Sequence, residues 1–284
     1  MRFLLAAAAI LCLSQPANLV RWAHAPLEVI GFWRLLAAAA VLAPWAWRRR
    51  ASWRGLAPEE RRLTLLAGGF FFLHLASFFY AATHTRIASA VTAFSTHPVW
   101  TAAGGMLLFK DGWSWRLAAA YALASIGVWA LFAGAIPSEG AAGDWAALAS
   151  AALFSGYVLC GRRVRGSLDN LVFAGLVYAV TAGLFLVWGL SSGVTWTGYP
   201  LRTWLSIAGL ALGVTLGGHA LFSYLLGLVD TNVLSLSKLL EPVLAALTAY
   251  LFFGEALTPG ASWAFACIAA ALVVLAFPPR EDFS

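Results

Sequence analysis

Charge is scarce in this chain. Of its 284 residues only 11% are Asp, Glu, Lys or Arg, while 62% are hydrophobic, and the mean hydropathy is +0.82. A water-soluble domain of this size could not cover its surface from such a composition, so lipid is the expected solvent. Acid is scarcer than base, 12 residues against 18, for a net charge of +6. The basic residues stand in short clusters between apolar runs and trace no continuous face. That pattern argues against nucleic acid as a partner and for membrane topology. Only three cysteines occur, Cys12, Cys160 and Cys267. All lie in apolar runs, and no two share a metal-ligand spacing, so a disulfide framework or a zinc site is not expected. No span holds HExxH, and Asp is absent from span interiors. Intramembrane hydrolysis therefore lacks its residues, and an enzyme is not expected. With no Walker sequence and no inserted soluble domain, ATP is not expected to drive the protein. No cofactor or metal is implied.

What the chain does have is long apolar runs. A membrane-spanning helix needs about 20 mainly apolar residues, and ten segments qualify, near 3–21, 28–47, 63–82, 88–109, 115–135, 144–161, 171–190, 203–227, 231–253 and 261–278. The first has the basic start of a signal peptide, but its apolar character continues to Val20, so it is read as a span. With the N-terminus inside, thirteen basic residues, among them Arg48, Arg49, Arg50, Arg54, Arg61 and Arg62, fall on the inner side. Arg21, Arg86 and Arg202 fall outside. This bias places both termini in the cytoplasm.

Sliding the chain by 144 residues lays the first five segments on the second five. Gly31 then meets Gly175, Tyr80 meets Tyr224, Pro98 meets Pro242 and Asp111 meets Glu255. The units are 1–136 and 144–284. Five spans are an odd number, so the second unit enters the membrane from the opposite side. The expectation is an all-α membrane protein of ten transmembrane helices, a 5+5 inverted repeat around a central cavity, which is a device of secondary transporters.

Polar residues within the spans are the candidate site. "LSLSKLLEPVLAALTAYLFFGE" places Lys238 and Glu241 three apart at mid-membrane, where a charge costs roughly 2.5–3.5 kcal/mol. They share a helix face, and Pro242 frees the carbonyl four residues back. A substrate or proton site and a buried ion pair both fit. In "AFSTHPVW", His97 and Pro98 occupy the matching positions, with His97 either a proton relay or simply hydrogen-bonded. Arg34 in segment two can grip a carboxylate in two-point geometry, from Glu241 or from a substrate, or snorkel to headgroups. Gln15, Asn18, His74, Tyr80, Tyr224 and Trp100 complete the candidate lining, with Tyr157, Tyr178 and His219 as further members. Gly209, Gly213 and Gly217 form a small-residue ridge suited to close helix contact.

Three stretches, "FWRLLAAAAVLAPWAWRRR", "ASAVTAFSTHPVWTAAGGMLLFKDGWSW" and "TNVLSLSKLLEPVLAALTAYLFFGEALTPG", resemble the EamA-type, ten-helix exporters of the drug/metabolite transporter superfamily. The resemblance spans nearly the whole chain and places Arg34, Pro98, Glu241, Pro242 and Glu255 on recurrent positions. His97 and "FKDG" depart from its pattern. It implies an inner-membrane, multi-pass exporter of small organic metabolites, amino acids or related compounds, working by alternating access. The alternatives are a drug or toxic-cation exporter of the same fold and a membrane scaffold that has lost transport. The expected partners are a small-molecule substrate and membrane lipid, with protons as a candidate coupling ion. Monomer and homodimer are both left open.

Overall fold

The computed structural model describes residues 2–112, 114–133, 140–164, 166–218 and 240–276, and among these there is no strand. The first span is two helices, α1 (Arg2–Leu13) and α2 (Pro16–Ala23). Pro16 sits at the start of α2, where its missing N–H costs nothing. The single helix expected over 3–21 is thus divided at Ser14 and Gln15. Then come α3 (Leu27–Arg48), the short α4 (Arg50–Arg54) and α5 (Pro58–His84). The fourth span is also divided, into α6 (Ile87–Phe94) and α7 (His97–Phe109), with Pro98 in the first turn of α7. Pro98 therefore starts a helix after a break rather than kinking a continuous one. The chain continues through α8 (Trp115–Ala133), α9 (Ala141–Val164), α10 (Asn170–Ser192) and α11 (Leu201–Ala208). α11 runs directly into π1, a π-helix over Gly209–Gly218. The last described elements are α12 (Leu240–Phe253) and α13 (Pro259–Ala276). Among the described residues, five rods are long and apolar enough to cross a membrane: α3, α5, α9, α10 and the joined α11–π1.

In lipid, exclusion from water does not hold helices together; close packing does. The helix pairs meet through small residues. Along α3 and α10, a Cβ on Gly31 would come within 2.6 Å of the Phe185 ring, and one on Gly175 would meet Leu42 at 3.4 Å. Beyond these contacts, Trp33 Nε1 donates to the Trp196 carbonyl at 2.9 Å, and Trp45 Nε1 donates to Asp169 at 3.1 Å. The early residues of α3 thus meet the late end of α10 and the reverse, so the two helices are antiparallel. α5 and α9 are antiparallel as well, with contacts running from Thr85–Asp144 through His74–Ser150 to Glu60–Ser167. In α8 and α13, Gly127 lies against Cys267 and Ile268, while Ala120 and Ala124 cluster with Ala271. That pair is antiparallel too.

The small-residue ridge of the eighth span is not one continuous contact. Gly209 lies beside Leu19, Gly213 has nothing within 4 Å of its Cβ position, and it is Gly218, not Gly217, that meets Leu13 and Cys12. A π-helix bonds residues five apart, so a four-residue spacing drifts off one face.

Candidate functional site

The middle of the bundle is a polar and aromatic layer. Arg34, on α3, is 5% exposed. Its Nε donates to Thr215 Oγ1 of π1 at 3.0 Å, and the guanidinium lies 5.8 Å from the Phe79 ring. Thr215 in turn donates to the Leu210 carbonyl, five residues back, at 2.8 Å. The wide π turn thus brings a hydroxyl to the buried cation. Arg34 Nη1 is buried with no hydrogen-bond partner among the described residues. The Arg34–Glu241 ion pair, one of the two carboxylate options read from sequence, is not formed: among the described residues no carboxylate lies within 4.0 Å of Arg34.

His74, on α5, is 6% exposed. Its Nδ1 lies 2.8 Å from Ser150 Oγ and 3.2 Å from the Ser150 carbonyl on α9. A carbonyl only accepts, so the second contact needs the proton on Nδ1. The His74 ring stacks on Phe94 at 5.2 Å, and Phe94 stacks on His97 at 5.1 Å. His97 Nδ1 lies 3.3 Å from the Phe94 carbonyl, which Pro98 leaves without its helical donor. Ser155, on α9, donates to the His97 carbonyl at 2.8 Å, joined by Thr101 at 3.0 Å. The break in the fourth span is therefore held by a helix of the second unit. Phe71 links Tyr157 and Tyr178 to the same layer.

Gln15 and Asn18, beside the break in the first span, reach α12. Gln15 Nε2 donates to Thr248 Oγ1 at 3.3 Å, and Asn18 Nδ2 donates to the Ala245 carbonyl at 3.1 Å. Glu241 and the buried Pro242 lie in the first turn of α12. Two candidates stand apart from the polar layer. Tyr80 is exposed and stacks on His84 at 3.8 Å. Trp100 is exposed and its Nε1 donates to Thr96 at 3.2 Å. Lys238, Tyr224 and His219 lie outside the described residues.

Two ion pairs at the ends of the bundle were not singled out from sequence. In the last turn of α2, Arg21 pairs with Glu255, which follows α12. Arg21 also donates to the carbonyls of Ala82 and Thr85, and Glu255 accepts from the Ile87 N–H. In the last turn of α9, Arg162 makes a two-point bond with Asp111, which follows α7, at 2.6 and 2.9 Å. Both pairs join the first unit to the second. They lie at opposite ends: Thr85, next to the first pair, bonds Asp144, and Arg162 comes eighteen residues later on α9. At 1.5 Å per residue that is about 27 Å, close to the hydrocarbon thickness. Hydrogen bonding by Arg162 holds the Asp111 carboxyl below its usual pKa. The available sequence signal was the match of Asp111 to Glu255; the arginines gave none, because each lies in a different helix from its acid.

Comparison with known proteins gives one consistent picture. The model of the EamA-like transporter family matches residues 2–133 and 141–277. A Bacillus subtilis (strain 168) protein described as the uncharacterized transporter YwfM is 29% identical over 211 residues, spanning 72% of this chain and 70% of that one. A crystal structure 20% identical in sequence superposes with a TM-score of 0.65 over 96% of both chains. At that identity it speaks for the fold alone.

Proposed function

Because the chain belongs to the EamA-like transporter family, we propose that it exports small organic metabolites, amino acids or related compounds, across the inner membrane by alternating access. The observation that carries this reading is the pair of cross-unit ion bonds. The acids of Arg21–Glu255 and Arg162–Asp111 match across the repeat, their arginines lie in the last turns of α2 and α9, and the pairs sit at opposite ends of the bundle. Such an arrangement suits two gates related by an inverted repeat, only one of which needs to be firm at a time. The antiparallel runs of α3 with α10 and of α8 with α13 support that inversion, since they are the second spans and the fifth spans of the two units.

The gates are unequal in this conformation. The side chains of Arg21 and Glu255 are 18% and 20% exposed and carry further bonds, whereas those of Arg162 and Asp111 are 48% and 41% exposed. Solvent and salt screen an exposed pair more than a half-buried one. The Arg21 end is the closed one, and the Arg162 end is the weaker barrier. Arg48, Arg49, Arg50, Arg54 and Arg163 crowd the Arg162 end, which supports placing it in the cytoplasm. The protein would then be poised to load from inside.

Proteoliposome uptake with an amino-acid panel, with and without a pH gradient, tests the proposal. Transport of at least one metabolite, slowed when Glu255 is changed to Gln, is expected. Folded protein that moves none of the panel, or a Glu255→Gln variant at full rate, would count against it. Transport confined to organic cations would favour a drug or toxic-cation exporter instead.

A further inference from the structure

We infer that the substrate carries a carboxylate and that Arg34 is the residue that binds it. The inference rests on the transport reading above and narrows it to a chemical class. Arg34 is a cation 95% removed from solvent by its 5% exposure, inside a spanning helix. Its Nε bond goes to a neutral hydroxyl, Thr215, and its Nη1 has no partner among the described residues. No carboxylate of the described residues lies within 4.0 Å. A buried cation left without an anion is costly and persists where function uses it. The guanidinium fork is shaped to bind carboxylates, and with Nε taken the buried Nη1 is the donor left open.

The surroundings choose among anions. Arg34 faces the Phe79 ring, and Tyr178 packs on Phe71 nearby in the same layer. Inorganic phosphate or chloride would have to leave its water shell against these rings. An organic carboxylate brings an apolar body that such a lining accepts. The π-helix adds to the case. It is a rare winding frequently found at functional sites, and here it delivers the Thr215 hydroxyl that holds Nε while leaving Nη1 without a partner among the described residues.

The test uses the full chain in nanodiscs. Binding of benzoate, benzamide, L-phenylalanine, L-phenylalaninamide and inorganic phosphate is measured on the wild type and on Arg34→Gln and Arg34→Lys. Each acid should bind at least about tenfold tighter than its amide. That preference should fall to about threefold or less in Arg34→Gln and be partly kept in Arg34→Lys. The wild-type acid-to-amide ratio needs no variant, so the inference stays exposed if Arg34→Gln fails to fold. Equal binding of acid and amide, an undiminished preference in folded Arg34→Gln, or phosphate binding as tightly as benzoate would overturn it. Transport of the amides alone would sink this inference and leave the transporter reading standing. A folded protein that neither binds nor moves any probe would remove both.

Discussion

Asp111 and Glu255, 144 residues apart, each bind an arginine from the opposite unit, and they do so at opposite ends of the bundle. Among the described residues, neither acid pairs within its own unit. The units are therefore tied by charge at both ends of the bundle and by packed rings between, a layout in which one tie can loosen while the other holds.

Loosening the tighter tie should open that end. Glu255→Gln removes the charge but keeps the shape. Hydrogen bonds to charged groups contribute about 1.5–3 kcal/mol, so the closed-to-open ratio should fall by roughly tenfold or more. Electron–electron resonance distances between spin labels at the exposed Trp22 and Phe252 would report it, with Cys12, Cys160 and Cys267 replaced. An unchanged distance distribution would show that the bond is not a gate.

The other tie should respond to acid in a defined window. Its carboxyl is depressed in the folded state by the Arg162 bond. Such a group adds stability above its unfolded pKa of about 3.9 and loses it as pH falls through the lower folded value. The stability difference between wild type and Asp111→Asn should thus stay constant from pH 5 to 8 and close below about pH 4. High salt should shrink it as well, since the pair is exposed. Thermal unfolding across pH in detergent would check both.

Gly31→Ala should destabilise the protein by about 1–3 kcal/mol. The added methyl lands 2.6 Å from the Phe185 ring, which is fully buried and has no room to retreat. Gly175→Ala, on the same interface, meets Leu42 at an ordinary 3.4 Å and should cost clearly less. Equal melting temperatures for the two variants would contradict this packing.

Ser155→Ala should cost about 0.5–1.5 kcal/mol, because Ser155 ties α9 to the His97 carbonyl at the break in the fourth span. Thr101 still reaches that carbonyl, so the break should survive. Hydrogen exchange at residues 95–97 should rise while α5 stays protected. No change in exchange would place the support of the break elsewhere.

Hydropathy made the apolar spans legible because lipid obliges each segment to satisfy its backbone internally. Pro98 was visible as an interruption, since a residue without an N–H disturbs the ladder whatever surrounds it. Pro16 was equally visible in the chain but carried no weight, because the apolar run passes over it without a change of composition. The glycine ridge misled for a related reason. Its spacing assumes ordinary helical winding, whereas Gly209–Gly218 is wound as a π-helix whose Thr215 bonds Arg34 on another helix.

The amino-acid sequence by itself determined the solvent, the family pattern and the repeat that sets Asp111 against Glu255. These depend on hydrogen bonds within a segment and on side-chain transfer into lipid, which are local quantities. Tertiary structure alone decided that Arg21 binds Glu255, that His74 binds Ser150, and that Arg34 turns to Thr215 rather than Glu241. Those partners lie in different helices, and which helices become neighbours follows from how rings and glycines fit across an interface, not from any stretch of chain read alone.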